Sequence, residues 1–145
     1  MTLAALLCVS ALVAARADAA GAHAITATNA WVRWLPNQLP AAGYVTLDNT
    51  SDKDIDLTGV SSADYGSAML HQTVQNGSTT NMVMVHKATV PAHGSLTIAP
   101  VGYHIMLEKP THKIAPGDTV HLKLQFSDGE TLETPFTVKS PGTAK

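Results

Sequence analysis

Soft metal-binding side chains are crowded into one stretch of this 145-residue chain. Apart from Met1, all four methionines lie between Met69 and Met106, and His71, His86, His93 and His104 lie in the same window. Methionine often serves as an adaptable core filler, so the spacing carries the weight. Residues two apart on a β-strand share a face. Met69 with His71, Met82 with Met84 and His86, and His104 with Met106 are therefore each predicted to point the same way. His104-Ile105-Met106 is the sharpest of these sets, because Ile105 turns to the opposite side and leaves an imidazole and a thioether together.

Donor softness indicates the ion. Thioether sulfur is a poor ligand for hard cations and for zinc but suits Cu(I), and imidazole accepts copper in either oxidation state. Neither donor has to lose a proton at neutral pH, and a thioether forms no disulfide, which suits an oxidising compartment. The single cysteine, Cys8, lies in a segment expected to be removed. The mature chain is then without thiolate, which excludes disulfides, iron–sulfur clusters and a blue-copper electron-transfer site.

The elements that must position these groups are short strands. Alternating or β-branched runs are predicted at Ile25–Thr28, Tyr44–Leu47, Ile55–Val60, Met82–His86, Leu96–Ala99, Tyr103–Leu107, Val120–Phe126 and Thr131–Val138. Turn signals separate them at Asn76-Gly77, Pro91 to Gly94, Pro116-Gly117 and Asp128-Gly129. No helical period is sustained. This pattern predicts an all-β sandwich, with no repeat or linker dividing it and a frayed tail at Ser140–Lys145.

Residues 1–24 are expected to be a secretory signal peptide. An apolar run from Leu3 to Ala15 precedes small residues that fit cleavage near 19–24. The run is too short to span a bilayer, so no membrane insertion of the mature protein is expected. Bulky Leu7 before Cys8 argues against a lipid-modified cysteine. Cleavage before Gly21 would make Gly21-Ala22-His23 a square-planar Cu(II) site, a secondary copper site of lower standing. A formal net charge of −2 with 14% charged residues gives no nucleic-acid footprint.

At this point the chain resembles the periplasmic copper chaperones of the PCu(A)C family, whose signature is H-x10-M-x21-H-x-M. His71, ten residues, Met82, twenty-one residues, His104, Ile105 and Met106 match it without a gap. Flanking agreement includes Asn29-Ala30-Trp31-Val32-Arg33, Ala42-Gly43-Tyr44, Asp48-Asn49-Thr50, Met69-Leu70-His71 and Gly102-Tyr103-His104-Ile105-Met106-Leu107. The resemblance implies a cupredoxin-like β-sandwich of Greek-key antiparallel strands over residues 25–139, binding Cu(I) through His71, Met82, His104 and Met106. Common members carry Met two positions before the ligand Met, where this chain has Thr80, and Met84 instead follows Met82. Met84 is thus a rival ligand, and Met69 an accessory one or a wall of the site.

The resemblance further implies a periplasmic carrier, expected to be a monomer, that passes copper to a recipient such as a cytochrome oxidase subunit or another copper chaperone. Copper buffering and a metal-free binding sandwich are the competing readings. His86, His93, His112 and His121 lack a neighbouring soft donor and are expected at the surface. Trp31, Trp34 and Tyr103 are expected as core or rim aromatics. No nucleophile elbow or Ser-His-Asp order is legible, and Asp54, Asp56 and Asp64 read as turn or strand-edge residues, so an enzyme is not expected.

Overall fold

The computed structural model describes residues 23–143. The expected signal segment with Cys8, Gly21 and Ala22 lies outside the described residues, as do residues 144–145; His23 is the one member of the expected Cu(II) site inside them. Ten strands follow in order: β1 Ile25–Arg33, β2 Ala41–Asn49, β3 Ile55–Ser62, β4 Tyr65–Asn76, β5 Thr79–Met84, β6 Ala88–Val90, β7 Ser95–Ile98, β8 Tyr103–Pro110, β9 Thr119–Phe126 and β10 Thr131–Lys139.

Hydrogen bonding links them in the order β5-β4-β8-β2-β1-β10-β9-β3-β6, with β7 added to β2. Nine of the ten strands place side chains in one shared core, among them Val32, Leu47, Leu57, Leu70, Ile105, Leu124 and Phe136. The sheet must curl on itself for that, which gives the expected all-β, cupredoxin-like sandwich. Strict alternation along β9, where Val120, Leu122, Leu124 and Phe126 turn inward, shows the period-two pattern at its clearest.

Three details differ from the expectations. The pairing is antiparallel except where β1 runs parallel to β10, with Trp31 opposite Thr137 and Arg33 opposite Lys139. The strand expected at Met82–His86 lies at Thr79–Met84, because Asn76 pairs with Thr79 around a Gly77-Ser78 turn and Gly77 takes the left-handed conformation such a turn needs. The chain then leaves the sheet at Val85, whose N–H donates to the Leu70 carbonyl. In the Pro91–Gly94 turn it is His93, at φ 52°, that adopts the left-handed conformation. Gly94 is required there for space, since a Cβ on it would fall 2.8 Å from the Pro91 ring.

A bulge in β1 matters most for the site. Thr28 pairs with Thr46 and Trp31 with Tyr44, so Asn29 and Ala30 on β1 oppose one residue of β2. Asn29 takes φ 52° to accommodate the extra residue. The insertion reverses the facing of the strand. Ile25 points into the core before it and Val32 after it, which sends Trp31 and Arg33 to the face opposite the core beside Tyr44 and Ala42.

The loop after β2 is tied by Asn49, which is only 3% exposed. Its amide donates to the carbonyls of Lys53 and Val90, and its Oδ1 accepts from the Ser51 N–H and hydroxyl. All four capacities of the side chain are used. Asn49→Ala should therefore lower stability by about 2 to 3 kcal/mol, because buried backbone groups lose partners that water does not replace. Urea unfolding of the two proteins checks this, and an unchanged midpoint would refute the assignment.

Candidate metal centre

Three neighbouring strands at one end of the sheet bring the histidines and methionines together. β4 pairs with β8 so that Leu70 faces Ile105 on the core side, both buried. The same register puts His71 opposite His104 and Met69 opposite Met106 on the other side. β5 adds Met84 opposite His71 and Met82 opposite Thr73. The face therefore reads as three rows, Met69–Met106, then Met84–His71–His104, then Met82–Thr73. Adjacent strands stand about 4.8 Å apart, and diagonal neighbours about 7–8 Å.

The two imidazoles meet edge to face with ring centroids 5.6 Å apart. An imidazole nitrogen binds a metal at about 2 Å, placing the ring centroid about 3.1 Å from it, so two rings on one ion have centroids at most about 6.2 Å apart. The observed spacing permits a shared ion. Both rings also keep a buried nitrogen, Nδ1 of His71 and Nε2 of His104, with no hydrogen-bond partner in the protein. Leaving such groups unpaired is costly, and an ion between the rings would satisfy both.

Among the described residues, no three His, Cys, Asp or Glu side chains converge on a common point. The other soft donors on this face are the thioethers of Met69, Met82, Met84 and Met106. Met106 stands in the row on one side of the two imidazoles and Met82 in the row on the other, so thioethers flank the pair on the same sheet face. Met84 stands in the imidazole row itself, beyond His71 as seen from His104. Met82 and Met84 are 60% and 55% exposed on the edge strand, whereas His104 is 6% exposed. One side of the centre is thus built into the sheet and the other is open.

Burial pushes the His104 pKa down from its ordinary value, helped by the nearby charges of His71 and Arg33, while the Gly102 carbonyl acts in the opposite direction. Neutral imidazole, with a lone pair for a metal, is the favoured form.

The other histidines stay apart from this centre. His86 is exposed beyond the end of β5. His93 contacts Asp52 at 2.7 Å, and His23 contacts Glu130 at 3.3 Å. His112 Nε2 contacts Asp64 at 2.9 Å, and the same carboxylate accepts from the His121 N–H. That bond holds the Asp64 carboxyl below its usual range and raises His112. Trp34 and Tyr103 pack against the core as expected, while Trp31 stacks on Tyr44 with ring centroids 4.6 Å apart. Neither Arg33 nor Tyr44 is legible in the sequence as a neighbour of the histidines: the β2–β8 register brings Tyr44 there, and the β1 bulge brings Arg33.

Residues 25–138 match the family "LpqE-like: Putative lipoprotein LpqE-like". The chain is 31% identical over 119 residues to "Putative lipoprotein Lxx21020" of Leifsonia xyli subsp. xyli (strain CTCB07), covering 81% of this chain and 71% of that protein. Its fold is similar to the copper-bound PCuAC domain from PmoF2, with a TM-score of 0.68, 23% identity, and coverage of 82% of this chain and 95% of that one. It is also similar to the CuI form of DR1885 from Deinococcus radiodurans, with a TM-score of 0.62, 36% identity, and coverage of 86% and 83%.

The histidine environments predict opposite titrations in the metal-free protein. By NMR, the His104 ring should titrate below 6.5 and the His112 ring above it. The signs carry into stability. His104 contributes stability that is present above its unfolded pKa and lost as the pH falls through its lowered folded value; His112 contributes stability present below its unfolded pKa and lost as the pH rises through its raised one. A His104 midpoint at or above that of His112 would contradict the environments described.

Proposed function

The chain belongs to the LpqE-like family and has the fold of PCuAC domains, and from that premise we propose that it is a copper chaperone carrying one Cu(I) between His71, Met82, His104 and Met106. The observation that carries this reading is the pair of buried, unpartnered imidazole nitrogens with thioethers on either side of them. Two neutral nitrogens and two neutral sulfurs form a soft shell that leaves the single charge of Cu(I) uncompensated and disfavours a harder divalent ion.

The asymmetry of the centre suits transfer. The histidines are held by paired strands, whereas Met82 lies on an exposed edge strand that contributes no buried side chain. A recipient's ligand can displace Met82 first while the imidazoles retain the ion. Met84 is available to replace Met82, and Met69, opposite Met106, walls the site. Among the described residues, no helix is long and apolar enough to cross a membrane. We place the carrier outside the cytoplasm, in the periplasm, on the apolar leader and thiol-free domain. The recipient of the family resemblance is a respiratory oxidase copper centre or a related copper protein.

Titration of the domain with Cu(I) under a competing chelator should give one ion per chain, and loading at 100-fold over Kd should stabilise the fold by about 2.7 kcal/mol. Replacing His104 and Met106 together should abolish binding, and undiminished stoichiometry would overturn the site. Met82→Leu should weaken binding more than Met84→Leu; the reverse order would make Met84 the ligand. Movement of copper to an apo recipient separates a chaperone from a copper buffer, which would retain it.

A further inference from the structure

Beyond the ligands, the same sheet face carries a fixed positive charge. The β1 bulge turns Arg33 onto the face opposite the core, where it pairs with Ala42, which in turn pairs with Met106. Arg33 therefore lies two strands from Met106 in the same row, about 9–10 Å away at the backbone. Its half-buried side chain lies across the Tyr44 ring, Cζ 5.8 Å from the centroid, with Nε buried and unpartnered. Tyr44 itself is only 3% exposed.

No carboxylate neutralises this guanidinium. Among the described residues the ion pairs are His23–Glu130, Lys87–Asp56, His93–Asp52 and His112–Asp64, and none includes Arg33. Glu108, two positions beyond Met106 on β8, lies on the same face, as does Asp48 on β2, and neither makes an ion pair with Arg33. A second cation, Lys139 on β10, sits with Nζ 5.3 Å from the Trp31 ring centroid. The aromatic pair thus holds two cations on the flank of the centre away from β5.

We propose that Arg33, laid over Tyr44 beside the His71–His104 pair, is an oxidation-state selector that penalises a divalent ion in the centre and so favours Cu(I) over Cu(II). The inference rests on the copper reading above and adds a residue that touches no metal. Its physical basis is Coulombic. A fixed cation repels both ions, but it repels the second positive charge of Cu(II) in addition to the first. One unit charge at about 9 Å in an effective dielectric near 20 changes the preference by roughly twentyfold, reduced to about threefold where solvent screens it. An uncharged residue at position 33 removes this term, while lysine keeps most of it.

The test compares wild type, Arg33→Gln and Arg33→Lys, each loaded with one copper. The readouts are Cu(I) affinity by chelator competition and the reduction potential of the bound copper. Arg33→Gln is expected to lower the potential by roughly 30–80 mV, the one-electron equivalent of a threefold to twentyfold change, and Arg33→Lys to restore most of it. An unchanged potential in a folded, copper-loaded Arg33→Gln would overturn the inference and leave the copper reading standing. Failure of wild type to bind Cu(I) would instead overturn that reading. If Arg33→Gln does not fold, the wild-type potential decides. Screening a local cation lowers it as salt rises, whereas a flat or rising potential refutes the role of Arg33.

Discussion

The centre depends on the lateral register of β4 against β8. Opposing Leu70 to Ile105 and Ala68 to Leu107 places apolar side chains in the core, and the same pairing sets His71 opposite His104 and Met69 opposite Met106 on the other face. A slip of one residue would exchange the faces, exposing Leu70 and Ile105 and burying two imidazoles. Core packing therefore enforces the geometry of the site: the hydrophobic energy that selects the register also fixes the separation of the two rings. The site needs no disulfide or separate scaffold to hold its histidines.

The same construction explains the open side. β5 is an edge strand whose six residues are all exposed, and Met82, Val83 and Met84 present a small apolar surface there. An exposed edge is normally a hazard for unwanted pairing, and this one is only six residues long. Its retention fits the transfer role proposed for the centre. Ligands buried on every side would hold the ion more firmly and pass it on more slowly.

Electrostatics complete the centre from the opposite flank. Tyr44 and Trp31 carry Arg33 and Lys139 across their rings, so cations rather than carboxylates border the imidazoles on that side. Acidic groups elsewhere are engaged in the loops. Asp56 is bonded to Lys87 and Thr89, Asp64 to His112 and the His121 N–H, and Asp54 to the Ala92 N–H. Those carboxylates are thereby occupied away from the soft donors, whereas Glu108 lies two positions from Met106 on the same face.

Periodicity along single strands was legible without coordinates. His104-Ile105-Met106 reads as a ligand pair around a core residue because covalent geometry alone turns alternate side chains to opposite faces. Softness of the donors, absence of cysteine after Cys8 and the turn residues Asn76-Gly77 and Asp128-Gly129 were open to the same kind of reading. What the sequence could not disclose was which face meets which. The Asn29 bulge, the parallel pairing of Trp31 with Thr137 and the placing of Met84, not Met82, in the imidazole row arise from contacts between distant segments. Sequence by itself determined which soft side chains the chain carries and how they alternate along each strand, since these are local properties. Only tertiary structure decided their register, and with it the neighbours of each donor, because register is selected by burial summed over the whole sheet.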